Sequence, residues 1–340
     1  MLNVPYRMYW LALLGPFLFA VALIATLSYQ GEKLHLLSAS CLSLLVWAGT
    51  LLWRNHASGV TVPLSAVALT LTAFWAWLVL SLAWNPVYGT GLVYFAWFSI
   101  FPLAFWLYTL SIPTDRAWTV IFKIAQLAGV VLAVWAMVQL LVLGTTPRSV
   151  FLDVNSHAAF LGLIALPVAA QFLNEAGNAP RGRWLTAAIL LVLTLAIAIT
   201  GSRGVMVSAV VALLPLIWLA RRHASRRALW QMLLLIAVGL VVGNLLAQGY
   251  TVSRMASVMD PVSAGESRYL IWRAAWKLVE SAPWLGHGLG NFVHLYPGVR
   301  QPDDNSAGFL VHNDYLQLWV ETGLPVVVLL GLLYAAIAWR

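Results

Sequence analysis

Apolar runs of about twenty residues recur along most of this 340-residue chain, and few folds can be written with them. A hydrocarbon core about 30 Å thick needs roughly 20 apolar residues in helical form. Ten runs meet that need, at about 9–27, 34–53, 60–83, 92–112, 118–143, 157–173, 185–200, 205–220, 229–247 and 324–339. Inside lipid a backbone must satisfy its own N–H and C=O groups, so only helices and closed barrels cross. The runs lack the alternation of barrel strands. They predict an all-α fold, a polytopic transmembrane helical bundle of about ten spans. Composition agrees: 9% of residues are charged and 62% hydrophobic, against about 25% charged in an ordinary soluble domain. The first run is followed by no small-residue cleavage site and reads as a retained span. The single cysteine, Cys41, lies in an apolar run and is expected to be a small buried residue without a disulfide partner in the chain. The expected division is a nine-span bundle over 1–247, one large extracytoplasmic loop with short helices over 248–323, and a last span over 324–340.

The net charge of +8 could suggest nucleic acid, but its distribution argues for membrane orientation instead. With the amino terminus in the cytoplasm and the spans alternating, the inner side receives Arg7, Arg54, Arg116, Lys123, Arg181, Arg183, Arg221, Arg222, Arg226, Arg227 and Arg340. It receives only Asp115 and Glu175 in return. The outer side receives Lys33, Arg148, Arg203, Arg254, Arg268, Arg273, Lys277 and Arg300, against nine acids. Such an excess of basic residues marks the cytoplasmic side. The run Arg221-Arg222-His223-Ala224-Ser225-Arg226-Arg227 is its firmest anchor. Membrane lipid, not nucleic acid, is therefore the expected partner, and the 248–323 stretch lies outside the cytoplasm. Trp10, Trp53, Trp84, Trp184 and Trp339 sit near span ends, as interfacial anchors do. Pro16, Pro102, Pro167 and Pro215 fall inside spans, where lipid-buried helices tolerate kinks.

The outer stretch holds seven of the eleven acidic residues, five basic ones and three of the seven histidines. Ser263-Ala264-Gly265-Glu266 has capping-box spacing and predicts a helix over about 264–281, ended by Pro283. Ile271, Ala274, Ala275 and Leu278 form one apolar stripe at helical spacing. Arg268, Trp272 and Trp276 form the next, a pattern that suits a helix lying in the interface with its aromatic side toward headgroups. Gly286-His287-Gly288-Leu289-Gly290-Asn291-Phe292 reads as a flexible turn. A short helix over about 314–321, capped by Asn313 or Asp314, is expected to stop at Gly323, with Pro325 in the first turn of the last span.

Three groups on the outer side can carry chemistry. Arg203 lies in Thr200-Gly201-Ser202-Arg203-Gly204, where two spans meet with almost no loop. It is either a snorkelling side chain in a tight turn or an anion-binding guanidinium, with glycines that let a ligand approach the backbone. Arg268 taken alone is one more charge on an amphipathic helix. His312 taken alone is structural or solvent-facing. With Asp314 or Glu321 beside it, it becomes a general base, because imidazole titrates near working pH. Phe151-Leu152-Asp153-Val154-Asn155-Ser156-His157 enters a span from outside, and Asp153 or Asn155 reads as its N-cap. Arg148 adds an outer positive charge nearby. His287, His294 and His312 match no zinc spacing, and no metal is expected.

Taken in order, Ser202-Arg203-Gly204, Ser267-Arg268-Tyr269, Pro283-Trp284-Leu285-Gly286-His287-Gly288 and His312-Asn313-Asp314-Tyr315-Leu316 resemble the O-antigen ligase/polymerase superfamily. It comprises O-antigen ligases, O-antigen polymerases and bacterial O-oligosaccharyltransferases, and the resemblance covers about residues 150–330. It implies a glycosyltransferase of the bacterial inner (cytoplasmic) membrane, with its active site on the periplasmic face. The donor would be a glycan on undecaprenyl diphosphate. The acceptor would be a hydroxyl of lipid A core, of another lipid-linked glycan or of a protein. Of these the ligase onto lipid A core is preferred. Arg203 and Arg268 would meet the diphosphate in place of a divalent ion, His312 would deprotonate the acceptor, and the anomeric centre would invert. Arg148, Asn313 and Tyr315 join the two arginines as residues expected to touch substrate. No cofactor is expected. The chain departs from the family in stopping at Arg340, at the end of a short span; either it is truncated or its bundle is smaller. The competing reading from another class is a lipid-linked glycan transporter or flippase. It is disfavoured because the spans lack buried acids and the polar groups gather at the outer face. A structural protein whose outer loop docks a partner is the third.

Overall fold

The computed structural model describes residues 18–19, 22, 34–55, 64–111, 115–178, 180–256, 266–304 and 308–339. Regular structure among them is helical throughout, with one 3-10 turn. In chain order the helices are α1 (Leu34–Asn55), α2 (Ala66–Ser81, continued by the 3-10 turn Leu82–Trp84), α3 (Tyr88–Ser111), α4 (Asp115–Leu141), α5 (Val154–Asn178) and α6 (Pro180–Thr200). Then follow α7 (Arg203–Ala220), α8 (Arg226–Leu246), α9 (Tyr250–Ala256), α10 (Glu266–Ser281), α11 (Phe292–Val299), α12 (Asp314–Thr322) and α13 (Leu324–Ala338). They form two compact units, one of α1–α3 with α10–α13 and one of α4–α9.

Seven helices among the described residues are long and apolar enough to cross a membrane, from Ala66–Trp84 to Arg226–Leu246. Two more predicted spans are shorter apolar helices, Ser38–Trp53 and Leu324–Ala338. The predicted span at 9–27 lies almost wholly outside the described residues, as do Trp10, Pro16 and the box residues Ser263 to Gly265. Pro102, Pro167 and Pro215 sit inside α3, α5 and α7. Cys41 is half-buried in α1.

In the unit of α4–α9, α6 is the central post. Leu190, Leu193, Ala196 and Ile197 are buried there, packed with Leu161, Val168 and Phe172 of α5 and Met232 of α8. Small residues set the α6–α8 approach, as in other lipid-embedded helix pairs. A Cβ on Gly239 would come within 2.1 Å of Thr194 Oγ1, and one on Gly243 within 2.6 Å of Ala198 Cβ. At the end predicted to be cytoplasmic, Gln126, Gln171, Glu175 and Thr186 hydrogen-bond in a chain across α4, α5 and α6. Arg183 there donates to Gln231 and lies 4.4 Å over the Phe172 ring. The short α9 was not expected. It docks on α6 through Thr251, whose hydroxyl donates to the Ala198 carbonyl at 2.7 Å.

In the other unit, Trp47 of α1 is 1% exposed and packs edge-on against Tyr108 of α3. Phe74, Leu78 and Leu82 of the α2 region meet Val326 of α13, Leu318 of α12 and Leu289. The predicted stripe of α10 is real: Ile271, Ala274, Ala275 and Leu278 are all buried, against Phe292 and Tyr296 of α11, Val311 and Val320. Its aromatic side is committed differently from expectation. Trp272 donates its indole N–H to the Val311 carbonyl at 3.0 Å, and Trp276 packs edge-on against Trp319. These rings join α10 to the 311–319 segment in addition to any contact with headgroups.

Candidate active site

The glycine turn that reads as flexible is a tight girdle around the end of α12. Gly286, Gly288 and Gly290 have φ of 67°, 95° and 73°, a region open chiefly to glycine. A Cβ on Gly286 would lie 2.6 Å from the Glu321 and Thr322 backbone, and one on Gly288 2.6 Å from Asn85 Cα. Backbone N–H groups of His287 and Gly288 donate to the carbonyls of Val320 and Glu321 at 2.9 and 2.7 Å. Indole groups close the remaining carbonyls: Trp77 donates to Thr322, Trp84 to Leu285 and Trp319 to Pro283. Trp84 is thereby used inside the protein, not only as an interfacial anchor.

Glu321 lies at the centre, 1% exposed. Its Oε2 accepts from Gly290 N at 2.8 Å, and its Oε1 accepts from Phe292 N at 3.4 Å and from Gln317 Nε2 at 3.2 Å. Phe292 opens α11, so the carboxyl serves the orphan amides of a helix start. Burial pushes its pKa up to about 7, while the amide donors pull it down. Of the two carboxylates considered as helpers of His312, Glu321 is thus engaged with backbone, and Asp314 is the one whose charge acts on the imidazole.

His312 stands just before α12. Asn313 is the N-cap, its Oδ1 accepting from Leu316 N at 3.2 Å. Both backbone groups of Val311 are clamped by side chains: its N–H donates to Gln317 Oε1 at 3.2 Å and its carbonyl accepts from Trp272. The next residue is then forced to turn, and His312 takes φ of 57°, a conformation uncommon outside glycine. Strain of this kind collects at sites of function. The imidazole is held below the ordinary histidine range, by partial burial first and by the Arg268 guanidinium second, with Asp314 pulling upward. Arg268, on the first turn of α10, is exposed. The structure therefore brings Arg268 and His312 into one electrostatic neighbourhood. Tyr315, one turn on, pairs its hydroxyl with that of Tyr334 at 3.0 Å.

Arg203 and Arg148 belong to the unit of α4–α9. Only Gly201 and Ser202 link α6 to α7, as the sequence predicts, and Gly201 has φ of 61°. Thr200 Oγ1 accepts from Ser202 N at 3.2 Å, and Ser202 Oγ donates to Asn155 Oδ1 at 2.9 Å. Arg203 is the first residue of α7 and half-buried, and beside it a Cβ on Gly204 would meet nothing within 4 Å. Asp153 is the cap of α5, accepting from Asn155 N and Ser156 N at 2.7 and 3.0 Å. Asn155 is instead the tie between α5 and the Arg203 turn. Arg148 is exposed and donates to the Leu152 carbonyl at 3.0 Å. Its loop is clamped by Gln139, which bonds both the N–H and the carbonyl of Ser149, and by buried His157, whose Nδ1 bonds the Pro147 carbonyl.

Sequence reasoning missed the Gln317 and Trp272 clamp on Val311 and the Asn155 bond to Ser202. The Trp272 and Asn155 bonds join residues distant in sequence, and the Gln317 bond reaches back across the start of its own helix; no local pattern announces any of them. Among the described residues, no three of His, Cys, Asp and Glu cluster as metal ligands do.

Residues 186–331 match the family model described as O-antigen ligase. No curated protein sequence matches the chain. The matched segment runs from α6 into α13 and includes the Arg203 turn, Arg268, the glycine girdle and the His312 stretch. The part of the chain that bears every candidate except Arg148 is thus similar to the O-antigen ligase/polymerase superfamily.

Proposed function

We propose that the protein is a membrane glycosyltransferase that moves a glycan from undecaprenyl diphosphate to an acceptor hydroxyl, as an O-antigen ligase acting on lipid A core. What supports this reading is the match of residues 186–331 to the family described as O-antigen ligase, a segment that holds Arg203, Arg268 and His312; burial first and the Arg268 charge second hold the His312 imidazole below its ordinary pKa. An imidazole so placed stays neutral and accepts a proton near neutral pH, beside a guanidinium suited to phosphate oxygens. In the reaction, the acceptor oxygen attacks the anomeric carbon and its proton passes to His312. The bond to the diphosphate breaks, and the lipid diphosphate leaves with the electron pair. Attack and departure on opposite faces invert the centre. Developing charge on the leaving group meets Arg268, with Arg203 as the second candidate, and no divalent ion is required. Asn313, Tyr315 and Arg148 are the proposed further substrate contacts. The enzyme sits in the bacterial inner membrane with this chemistry on the periplasmic face.

Purified protein, lipid-diphosphate glycan donor and lipid A core, assayed with EDTA, test the reading. His312→Ala is expected to lower transfer about 10²–10⁴-fold, the usual share of a general base. Arg268→Ala and Arg203→Ala are expected to cost about 10²–10³-fold each, as loss of a charge-stabilising donor does. Transfer indifferent to all three sinks the assignment, and strict metal dependence sinks the role of the arginines. Transfer only to a second lipid-linked glycan makes the enzyme a polymerase. Transfer only to a protein side chain makes it a protein O-oligosaccharyltransferase.

A further inference from the structure

Glu321 and Gln317 lie one turn apart on α12 and are both buried, at 1% and 7% exposure. An ionised carboxyl only accepts hydrogen bonds, whereas an amide has one end that donates and one that accepts. Glu321 Oε1 takes a hydrogen bond from Gln317 Nε2 at 3.2 Å, so the amide must turn its donor end to the carboxyl. Its oxygen is left facing the other way, and there it accepts from Val311 N at 3.2 Å. Glu321 cannot swing to undo this order, because Gly290 N holds its Oε2 at 2.8 Å. Orientation thus passes from the glycine girdle, through one carboxyl and one amide, to the residue before His312.

Trp272 acts on the other side of Val311. Its indole N–H holds the Val311 carbonyl at 3.0 Å, and that carbonyl belongs to the peptide bond that carries the His312 nitrogen. The two side chains therefore fix both peptide planes ahead of His312, whose φ is 57°. Val311 is fully buried and cannot shift to escape them. Trp272 also lies one turn after Arg268 on α10, so the same indole ties the helix that bears Arg268 to the segment that bears His312. Neither tie is needed to build its own helix. Asn313 caps α12, and α10 docks through the buried stripe of Ile271, Ala274, Ala275 and Leu278.

We propose that Gln317, oriented by Glu321, and Trp272 are positioning residues that hold the His312 imidazole at a fixed place relative to Arg268. Their part in transfer rests on the transferase reading; the hydrogen-bonded line that joins them to His312 does not.

Transfer kinetics and amide exchange of the full-length protein in nanodiscs test this, above the Glu321 pKa of about 7 so that the carboxyl is ionised. The substrates are lipid-diphosphate glycan and lipid A core. Gln317→Met keeps the side-chain length and removes the acceptor, and Trp272→Phe keeps a ring and removes the donor. Each is expected to lower kcat about 10²-fold, as displacement of a reacting group does, and to leave KM unchanged. Exchange of the Val311 amide, read by mass spectrometry, should quicken about tenfold in Gln317→Met. Gln317→Glu sets two carboxyls against each other and should lower kcat as well. Adding Glu321→Gln restores a donor facing an acceptor and should recover about tenfold of that loss. Gln317→Met and Trp272→Phe act on different helices, so misfolding of one leaves the other to decide. Folded variants with wild-type kcat overturn the proposal, and so does a change confined to KM. A double variant no faster than Gln317→Glu overturns the part given to Glu321. Wild-type protein that transfers to no acceptor sinks the transferase reading. Val311 exchange then judges the line by itself: the tenfold rise supports it and an unchanged rate overturns it.

Discussion

Partial burial first and the Arg268 cation second lower the His312 pKa, and the Asp314 anion opposes them. Removing the cation stabilises imidazolium and removing the anion does the reverse. In histidine-labelled protein followed by NMR, Arg268→Gln is therefore expected to raise the His312 midpoint and Asp314→Asn to lower it. A His312 midpoint unmoved by Arg268→Gln would dissolve the pairing on which the proposed chemistry rests. Because the neutral form is the base, the acid limb of the wild-type transfer rate should lie below the ordinary histidine range. Glu321 offers a second titration with the opposite logic. Its folded pKa is raised from 4.5 to about 7, so the folded state binds the proton more tightly than the unfolded one. The resulting stabilisation is complete below about 4.5 and is lost as pH rises through about 7. Glu321→Gln cannot titrate, and its amide turns a donor toward one of the two backbone N–H groups, at a cost of about 1–3 kcal/mol. Thermal melts should show the wild type's advantage over Glu321→Gln shrinking between pH 4.5 and 7. A constant difference across that window would mean that the carboxyl is ionised throughout.

Two glycines at helix junctions separate structural from ligand-facing roles. Gly323 ends α12 with φ of 77°, and a Cβ there would lie 2.1 Å from the Trp284 carbonyl oxygen. Gly323→Ala should cost about 1–3 kcal/mol or more in strain, read as a fall in melting temperature. Gly204, the second residue of α7, has open space instead. Alanine is favoured over glycine by about 1 kcal/mol inside helices. Gly204→Ala should thus leave the melting temperature unchanged or higher while transfer falls, because the methyl occupies space beside Arg203. Full transfer in Gly204→Ala would leave Arg203 in the first of its two sequence readings, a snorkelling side chain. These junctions also mark where sequence stops being informative. The stripe Ile271, Ala274, Ala275 and Leu278 was legible because burial of a helix face repeats at a fixed spacing. The stop at Gly323, a cap at Asn313 or Asp314 and the near-absence of a loop at Arg203 were legible because caps and turns are local chemistry. The girdle at Gly286 to Gly290 was not, since its glycines answer to Asn85, Tyr94 and Glu321, partners far away in the chain. Helix α11 escaped for a related reason: it starts on a carboxyl borrowed from α12.

For the whole molecule, the proposed reaction requires that the two units present Arg203 and the Arg268–His312 pair to the same side of the membrane. The charge count makes that a definite expectation. With the amino terminus inside, inward loops would hold the Arg221–Arg227 run and outward ones nearly all of the acids. Reversing the protein would carry that basic run across the bilayer, against the bias that fixes orientation. Cys41 is the only native thiol, so a Cys41→Ser background reports single introduced cysteines cleanly. Arg148, His223 and Asp303 are all exposed positions, and none of the three caps a helix. In spheroplasts, a membrane-impermeant maleimide should label Arg148→Cys and Asp303→Cys directly and His223→Cys only after permeabilisation. The reverse pattern would place the candidate residues in the cytoplasm, where no periplasmic acceptor could reach them. Opposite labelling of Arg148→Cys and Asp303→Cys would assign the two units' candidates to different sides, and Arg203 would then have no part in the chemistry of His312.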